Sequence, residues 1–302
     1  MGRLLSRRLL IIGCGDVALR AAALVRSRYR LYGLIRDSSQ APPLRAAGIT
    51  PILGDLDQRA TLGRLAGLGQ LVLHSAPPSA EGRADRRTAR LTAALGKARI
   101  VPQRLVYIST SGVYGHCEGA KVPETQPLRP RTARASRRVD AERWLRRWGR
   151  KNHAAVAILR APGIYAAERL PLERLKAGIP AVVAEQDSYT NHIHADDLAR
   201  ILVMALYRAK PGRVYNASDD SQLKMGDYFD LVADHFRLSR PPRVSRREAE
   251  RLIPAPLLSF MAESRRLSNS RLKRELRVRL QHPTVAEFLR GLPASSDAGR
   301  CR

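Results

Sequence analysis

From residue 8 to 160, apolar runs of strand length alternate with amphipathic stretches: Leu9–Gly13, Leu31–Ile35, Ile49–Leu53, Leu71–Ser75, Leu105–Ser109 and Ala154–Leu159. Within each run the apolar character is continuous, which is the pattern of strands covered on both faces. Six such strands with helices between them predict an α/β fold built on a doubly wound parallel sheet. Right-handed crossovers would place all six carboxyl ends on one rim, where a ligand site is expected. The helices are legible too: over Asp16–Arg28, Val17, Ala21, Leu24 and Val25 recur at helical spacing with arginines on the other face.

After Leu159 the pattern changes. Pro162–Ser188 is irregular and contains prolines, Ala195–Tyr207 reads as a helix, Arg213–Asn216 as a strand and Met225–Phe236 as another helix. Beyond Arg240 the chain is Arg-rich and punctuated by prolines. It ends in a short helix near Val285–Leu292 and a polar tail, residues 293–302, expected to be disordered.

Charge changes the picture more than composition does. At 302 residues and 44% hydrophobic the chain can bury a sizeable core. Its 54 Lys and Arg against 27 Asp and Glu leave a net charge of +27, and the arginines are spread along the whole length. Such a surface attracts phosphates, on a small molecule or on nucleic acid. No helix-turn-helix, RNA-recognition or zinc signature accompanies the charge, which weighs against nucleic acid. Cys14, Cys117 and Cys301 are too few and too widely spaced for a disulfide framework, so a reducing, cytoplasmic setting is expected. No apolar stretch reaches the roughly 18 residues that span a bilayer. Met1-Gly2 with Ser6, Arg7-Arg8 and Ile11-Ile12-Gly13-Cys14 imitate lipidation and export signals, but only Leu9–Ile12 is apolar, short of the about 7–15 residues that export needs.

The first strand runs into Gly13-Cys14-Gly15-Asp16-Val17-Ala18, a G-x-G-x-x-A immediately before a helix. In that context Gly13 permits the tight turn, Gly15 lets a pyrophosphate approach the backbone and Ala18 packs helix on strand, while the helix N-terminus offers free N–H groups. This is a Rossmann-type dinucleotide loop, with Gly13, Cys14, Gly15, Asp16 and Val17 as binding residues. About 20 residues on, the second strand ends in Arg36-Asp37. Arg36 forking onto a 2′-phosphate favours NADP, whereas Asp37 in that place would favour the free ribose hydroxyl of NAD. NADP is the expected cofactor, with NAD the alternative.

Further residues add up to a family. Gly54-Asp55-Leu56, His74-Ser75-Ala76-Pro77, the strand Tyr107-Ile108-Ser109-Thr110-Ser111-Gly112-Val113-Tyr114-Gly115, Leu159–Tyr165, His192–Asp197 and Ser268–Lys273 all have counterparts in one pattern. The chain resembles the extended short-chain dehydrogenase/reductases, the NAD-dependent epimerase/dehydratase-like proteins, from Leu9 to about Leu292. The resemblance implies that Asp55 and Leu56 lie on the adenine side and that Ser75, Ala76 and Pro77 line the cofactor. It also implies a core over residues 1–160, a mainly substrate-binding lobe with returning core elements over 161–292, and a homodimer as one option for assembly.

In that family a Y-x-x-x-K pair on the next helix carries the chemistry, and this chain has none. Counting back from Asp140-Ala141-Glu142, the two places fall on Arg134 and Arg138. Arginine, with a pKa above about 12, is no general acid. The remaining catalytic candidates are Thr110, Ser111 and Tyr114, with Arg138 beside Arg134 as the cation that would tune the phenol. The departure resembles the atypical members of the family. The same arginines could clamp a phosphate or carboxylate, or form a solvated basic face over Arg129–Lys151 with Val139, Trp144 and Leu145 packed inward. His192, His194, Asp196 and Asp197 read as a packed cap for the following helix, with no metal expected, and Cys117 as a bystander. Two functions follow: an NAD(P)-binding oxidoreductase or epimerase-like enzyme acting on a small anionic, nucleotide-linked or carboxylated molecule, or a non-catalytic dinucleotide sensor or scaffold.

Overall fold

The computed structural model describes residues 7–254, 257–258 and 261–293. The lipidation-like Met1, Gly2 and Ser6, and all of the polar tail after Pro293, lie outside them. Strands β1 (Arg8–Ile12), β2 (Arg30–Ile35), β3 (Ile49–Leu53), β4 (Leu71–His74), β5 (Arg104–Thr110), β6 (Ala155–Ala161) and β7 (Arg213–Asn216) form a single sheet in the order β7-β6-β5-β4-β1-β2-β3. Every pairing is parallel. The order reverses between β1 and β4, so the crevice of a doubly wound sheet opens there.

The continuous apolar runs divide by strand alternation. Leu9, Ile11, Leu73, Val106 and Leu159 pack on one face against helices α1 (Asp16–Val25) and α5 (Ala195–Arg208). Leu10, Ile12, Val72, Leu105 and Ile158 pack on the other against α3 (Arg86–Leu95) and α4 (Ala133–Lys151). Burial on both faces explains why no strand alternates in polarity. A third cluster, with Tyr165, Val182, Phe229, Val232, Phe236 and Phe288, forms the core of the C-terminal part. The helices Met225–His235 and Val285–Arg290 belong to it.

All six expected strands are present, and Arg213–Asn216, read as strand-like on its own, joins the sheet as its seventh member beside β6. Helix α1 stops at Val25 rather than Arg28, because the apolar stripe ends there and the next three residues are exposed. The stretch 162–188, expected to be irregular, contains Gly163–Tyr165, Leu172–Lys176 and Ala181–Val182. Leu172–Lys176 is a short helix, while Gly163–Tyr165 pairs with His192–His194, Ala181–Val182 with Arg243–Val244, and Lys121–Val122 with Arg266–Leu267. Partners so distant along the chain leave no local periodicity to read. Among the described residues no helix is long and apolar enough to cross a membrane.

The interior also holds an ion pair. Arg160 on β6 and Glu142 on α4, each with a side chain 2% exposed, meet through Nη2–Oε2 at 2.6 Å and Nε–Oε1 at 3.0 Å. Ser109 of β5 donates to the same carboxylate at 2.7 Å. The Arg160 Nη1 donates to the Tyr114 hydroxyl at 2.8 Å, which in turn donates to Asn216 Oδ1 of β7 at 2.7 Å. Removing one partner of such a pair strands a buried charge. Glu142→Gln is therefore expected to cost about 3–5 kcal/mol in urea denaturation; a loss below about 1 kcal/mol would mean that water reaches the pair.

Candidate functional site

Where β1 runs out, the chain must turn sharply into α1. Gly13 does so at φ +91°, and a Cβ there would lie 2.5 Å from the Ala76 backbone nitrogen, so only glycine fits. Gly15 differs: a Cβ built on it meets nothing within 4 Å, because it faces open space. That space is a cleft of about 800 Å³ along the carboxyl rim of the sheet, within the range of ligand pockets. Gly13, Cys14, Gly15, Asp16 and Val17 line it from the loop, Arg36 from the end of β2, Asp55 and Leu56 after β3, and Ser75, Ala76 and Pro77 after β4.

The charges around the loop are arranged in an orderly way. The Asp16 carboxylate, which would repel a phosphate, is paired with Arg20 at 2.8 Å and Arg169 at 2.9 Å. Arg20 reaches on to Asp196 and Glu168 at 2.7 and 2.6 Å. At the β2 end, Asp37 accepts the Ser39 N–H at 2.9 Å and caps the following turn, while Arg36, Ser39 and Gln40 line the cleft. The Cys14 thiol is pushed up to about 12 by burial, so it is no thiolate at neutral pH.

At the other end Thr110, Arg134 and Arg138 line the cleft. Thr110 accepts the Gly112 N–H at 3.3 Å. The Arg138 guanidinium is buried and donates through Nη1 to the Tyr107 hydroxyl and the Ile108 carbonyl, both at 2.8 Å. Arg134, one turn earlier, stays exposed, and burial of its inner part with the nearby Arg138 and Arg137 lowers its pKa from the usual arginine value.

Two expected site residues are elsewhere. Tyr114 is 1% exposed, lies outside the cleft lining and uses its hydroxyl on Arg160 and Asn216. Burial raises its pKa more than Arg160 draws it back. The cation beside it is therefore Arg160, not the Arg134–Arg138 pair, and its proton is not at hand for a molecule in the cleft. Ser111 is buried against Arg265 and also lies off the lining. Both lie in the short helical turn Ser111–Tyr114 that follows β5. Cleft residues without a sequence signal include Arg169 and Arg87, each isolated in a stretch without a motif, and Ser39, Gln40, Pro43 and Leu44 after β2.

His194 caps α5 by accepting the Asp196 N–H at 3.2 Å through Nδ1, and Asp197 receives the N–H groups of Gln281 and His282 at 2.8 Å each. His194, Asp196 and His282 lie within 4.8 Å of one another, with Asp196 tied to Arg20. Cys117 lies outside the cleft lining.

A doubly wound sheet whose first turn opens on a cleft at its carboxyl rim defines a Rossmann-type dinucleotide-binding protein. Residues 18–218 match the NAD dependent epimerase/dehydratase family, and the chain belongs to that family. It is 22% identical over 143 residues to human dTDP-D-glucose 4,6-dehydratase, a match that spans 45% of this chain and 40% of that one. A functionally unknown conserved protein from Silicibacter pomeroyi superposes with a TM-score of 0.76 at 30% identity, covering 94% of this chain and 96% of the other. The dTDP-glucose 4,6-dehydratase from Streptomyces venezuelae, solved with NAD bound, superposes with a TM-score of 0.72 at 20% identity, covering 94% and 96%.

The floor of this region predicts an acid response. Burial lowers the pKa of His74, at the end of β4, from 6.5 to about 3, and those of His192 and His194 to about 4. Below pH 6.5 the unfolded chain takes up protons that the folded chain refuses, so the stability these neutral imidazoles allow is complete above that pH and is lost as pH falls toward about 4. The unfolding free energy from urea titration should fall between about pH 6.5 and pH 4.5, by up to about 1.4 kcal/mol per pH unit for each histidine. His74→Asn should flatten the slope; an unchanged slope would show that His74 does not contribute.

Proposed function

We propose that the chain is an NADP-binding oxidoreductase-like protein acting on a small anionic molecule, of the nucleotide-linked or carboxylated kind. The observation that carries this reading is one cleft with the glycine loop and Arg36 toward one end and the Arg134–Arg138 pair at the other. The loop N–H groups and the α1 N-terminus suit a pyrophosphate, and the cradle at Gly15 has room for one because nothing occupies the Cβ direction. Pairing with Arg20 and Arg169 offsets the Asp16 carboxylate at the start of α1, which would oppose it. Arg36 suits a 2′-phosphate, while Asp37 is spent on its own turn.

When bound, the dinucleotide supplies a hydride donor or acceptor. The protein's part at that end is electrostatic. Arg138, held by Tyr107 and Ile108, places a fixed positive charge where oxygen charge would develop, and Arg134 is free to grip the substrate anion. Thr110 can orient a hydroxyl or carbonyl by hydrogen bonding. A guanidinium is a hydrogen-bond donor and not a proton-transfer group, so the proton must be exchanged with solvent or lie on the substrate itself.

The removal of Tyr114 and Ser111 from the cleft favours a second reading, a non-catalytic dinucleotide sensor or scaffold. The free thiols of Cys14 and Cys117 are compatible with a reducing cytoplasm under either reading.

Titration with NADPH and NADH tests the cofactor half. NADPH should bind more tightly, Arg36→Ala should cut that preference about tenfold, and Gly15→Glu should abolish both. An NADH preference untouched by Arg36→Ala would assign NAD instead. For the chemistry, NADPH oxidation with a panel of nucleotide-linked and carboxylated carbonyl compounds should give turnover that Arg134→Ala weakens through KM. Tight NADPH binding with no turnover across the panel would leave the sensor.

A further inference from the structure

A second cavity, of about 490 Å³, lies between α4, the edge strand β7 and the segment 124–128. It shares no lining residue with the dinucleotide cleft. Five arginines line it, Arg143, Arg146, Arg160, Arg213 and Arg271, against Glu124 and Glu142. Three of the five have acidic partners: Arg160 is paired with Glu142, Arg213 with Glu275 at 2.6 Å, and Arg271 lies 3.6 Å from Glu124. That leaves Arg143 and Arg146 without an acidic partner among the described residues. The Arg146 Nε is buried and donates to nothing among them, and burial lowers its pKa from the usual arginine value. A buried guanidinium N–H without an acceptor carries its full desolvation penalty. An anion entering the cavity would relieve it with a charge-assisted bond, and an arginine fork matches phosphate oxygens.

We propose that this cavity binds a small phosphate-bearing anion with at least two negative charges, held by Arg146 and Arg143. Two unpartnered cations set the charge, and the concave shape bounded by α4 and β7 sets the size. The site is also wired to the cleft. Glu142 forms part of the cavity lining and accepts the Ser109 hydroxyl, and Ser109 lines the dinucleotide cleft. An anion that draws on Arg146 beside Glu142 therefore acts one hydrogen bond away from the cleft, and any effect on dinucleotide affinity must be reciprocal. None of this depends on which dinucleotide the cleft takes.

Calorimetric titration with inorganic pyrophosphate at physiological salt, with and without saturating NADPH, tests the site. Pyrophosphate should still bind when NADPH is saturating. Arg146→Ala should weaken it about tenfold or more, Arg146→Lys should fall between because it keeps the charge and loses the fork, and the exposed Arg143→Ala, which leaves the helix core untouched, should weaken it too. Arg64→Ala, an exposed arginine on another element, should change nothing. Equal affinity in all variants would overturn the proposal in favour of general attraction to a chain of net charge +27. Binding abolished by NADPH would overturn it in favour of the cleft, and no binding at millimolar pyrophosphate would overturn it outright.

Discussion

The buried Arg160–Glu142 pair is the constraint on which the rest of the site depends. Taking two charges out of water is costly, and the pair persists because its own donors and acceptors are answered. Ser109 and Tyr114 supply those answers from the β5 strand and its following turn, and Asn216 continues the chain of bonds into β7. The pair locks α4 against the sheet at one angle. The same helix carries Arg138 and Arg134, about one and two turns up from Glu142, to the rim of the cleft. The pair also consumes the tyrosine that a catalytic reading of the S-T-S-G-V-Y-G strand would have used.

A second arrangement governs the glycine-loop end of the cleft. In a chain of net charge +27, the few acids matter as much as the many bases. Asp16, Arg20, Arg169, Glu168 and Asp196 form a chain of ion pairs that joins α1, α5 and the segment before Leu172. Each link is partly exposed and individually worth little. As a network they hold the C-terminal part onto the glycine loop and bring Arg169 into the cleft lining. The cleft is thus cationic by position as well as by composition, which suits anionic ligands in a way that scattered surface arginines do not.

The elements with strong local signals were legible from the chain itself. Runs such as Leu9–Ile12 and Leu105–Ile108 are apolar on both faces, the pattern of strands in a parallel sheet covered by helices on both sides. The glycine loop was legible because the need for positive φ at Gly13 is written in the residue type. What failed to show was whatever depended on partners far along the chain. The two-residue strands near Val182 and Val122, and the entry of Arg213–Asn216 into the sheet, rest on pairings more than fifty residues apart.

The site divides in the same way. The loop residues and Arg36 were identifiable because each follows directly from the end of a predicted strand, so their position on the rim is set by local geometry. Thr110 and Tyr114 are four residues apart and looked alike as candidates, yet one lines the cleft and the other is buried off it, in the helical turn Ser111–Tyr114. Only the fold pairs Tyr114 with Arg160, forty-six positions away, and only the fold brings Arg169 to Asp16. The sequence by itself determined the six N-terminal strands, their rim and the glycine loop, since these follow from hydrophobic period and glycine conformation. Which side chains face the other end of the cleft was decided by tertiary structure, because long-range ion pairing chooses among residues that local pattern leaves equivalent.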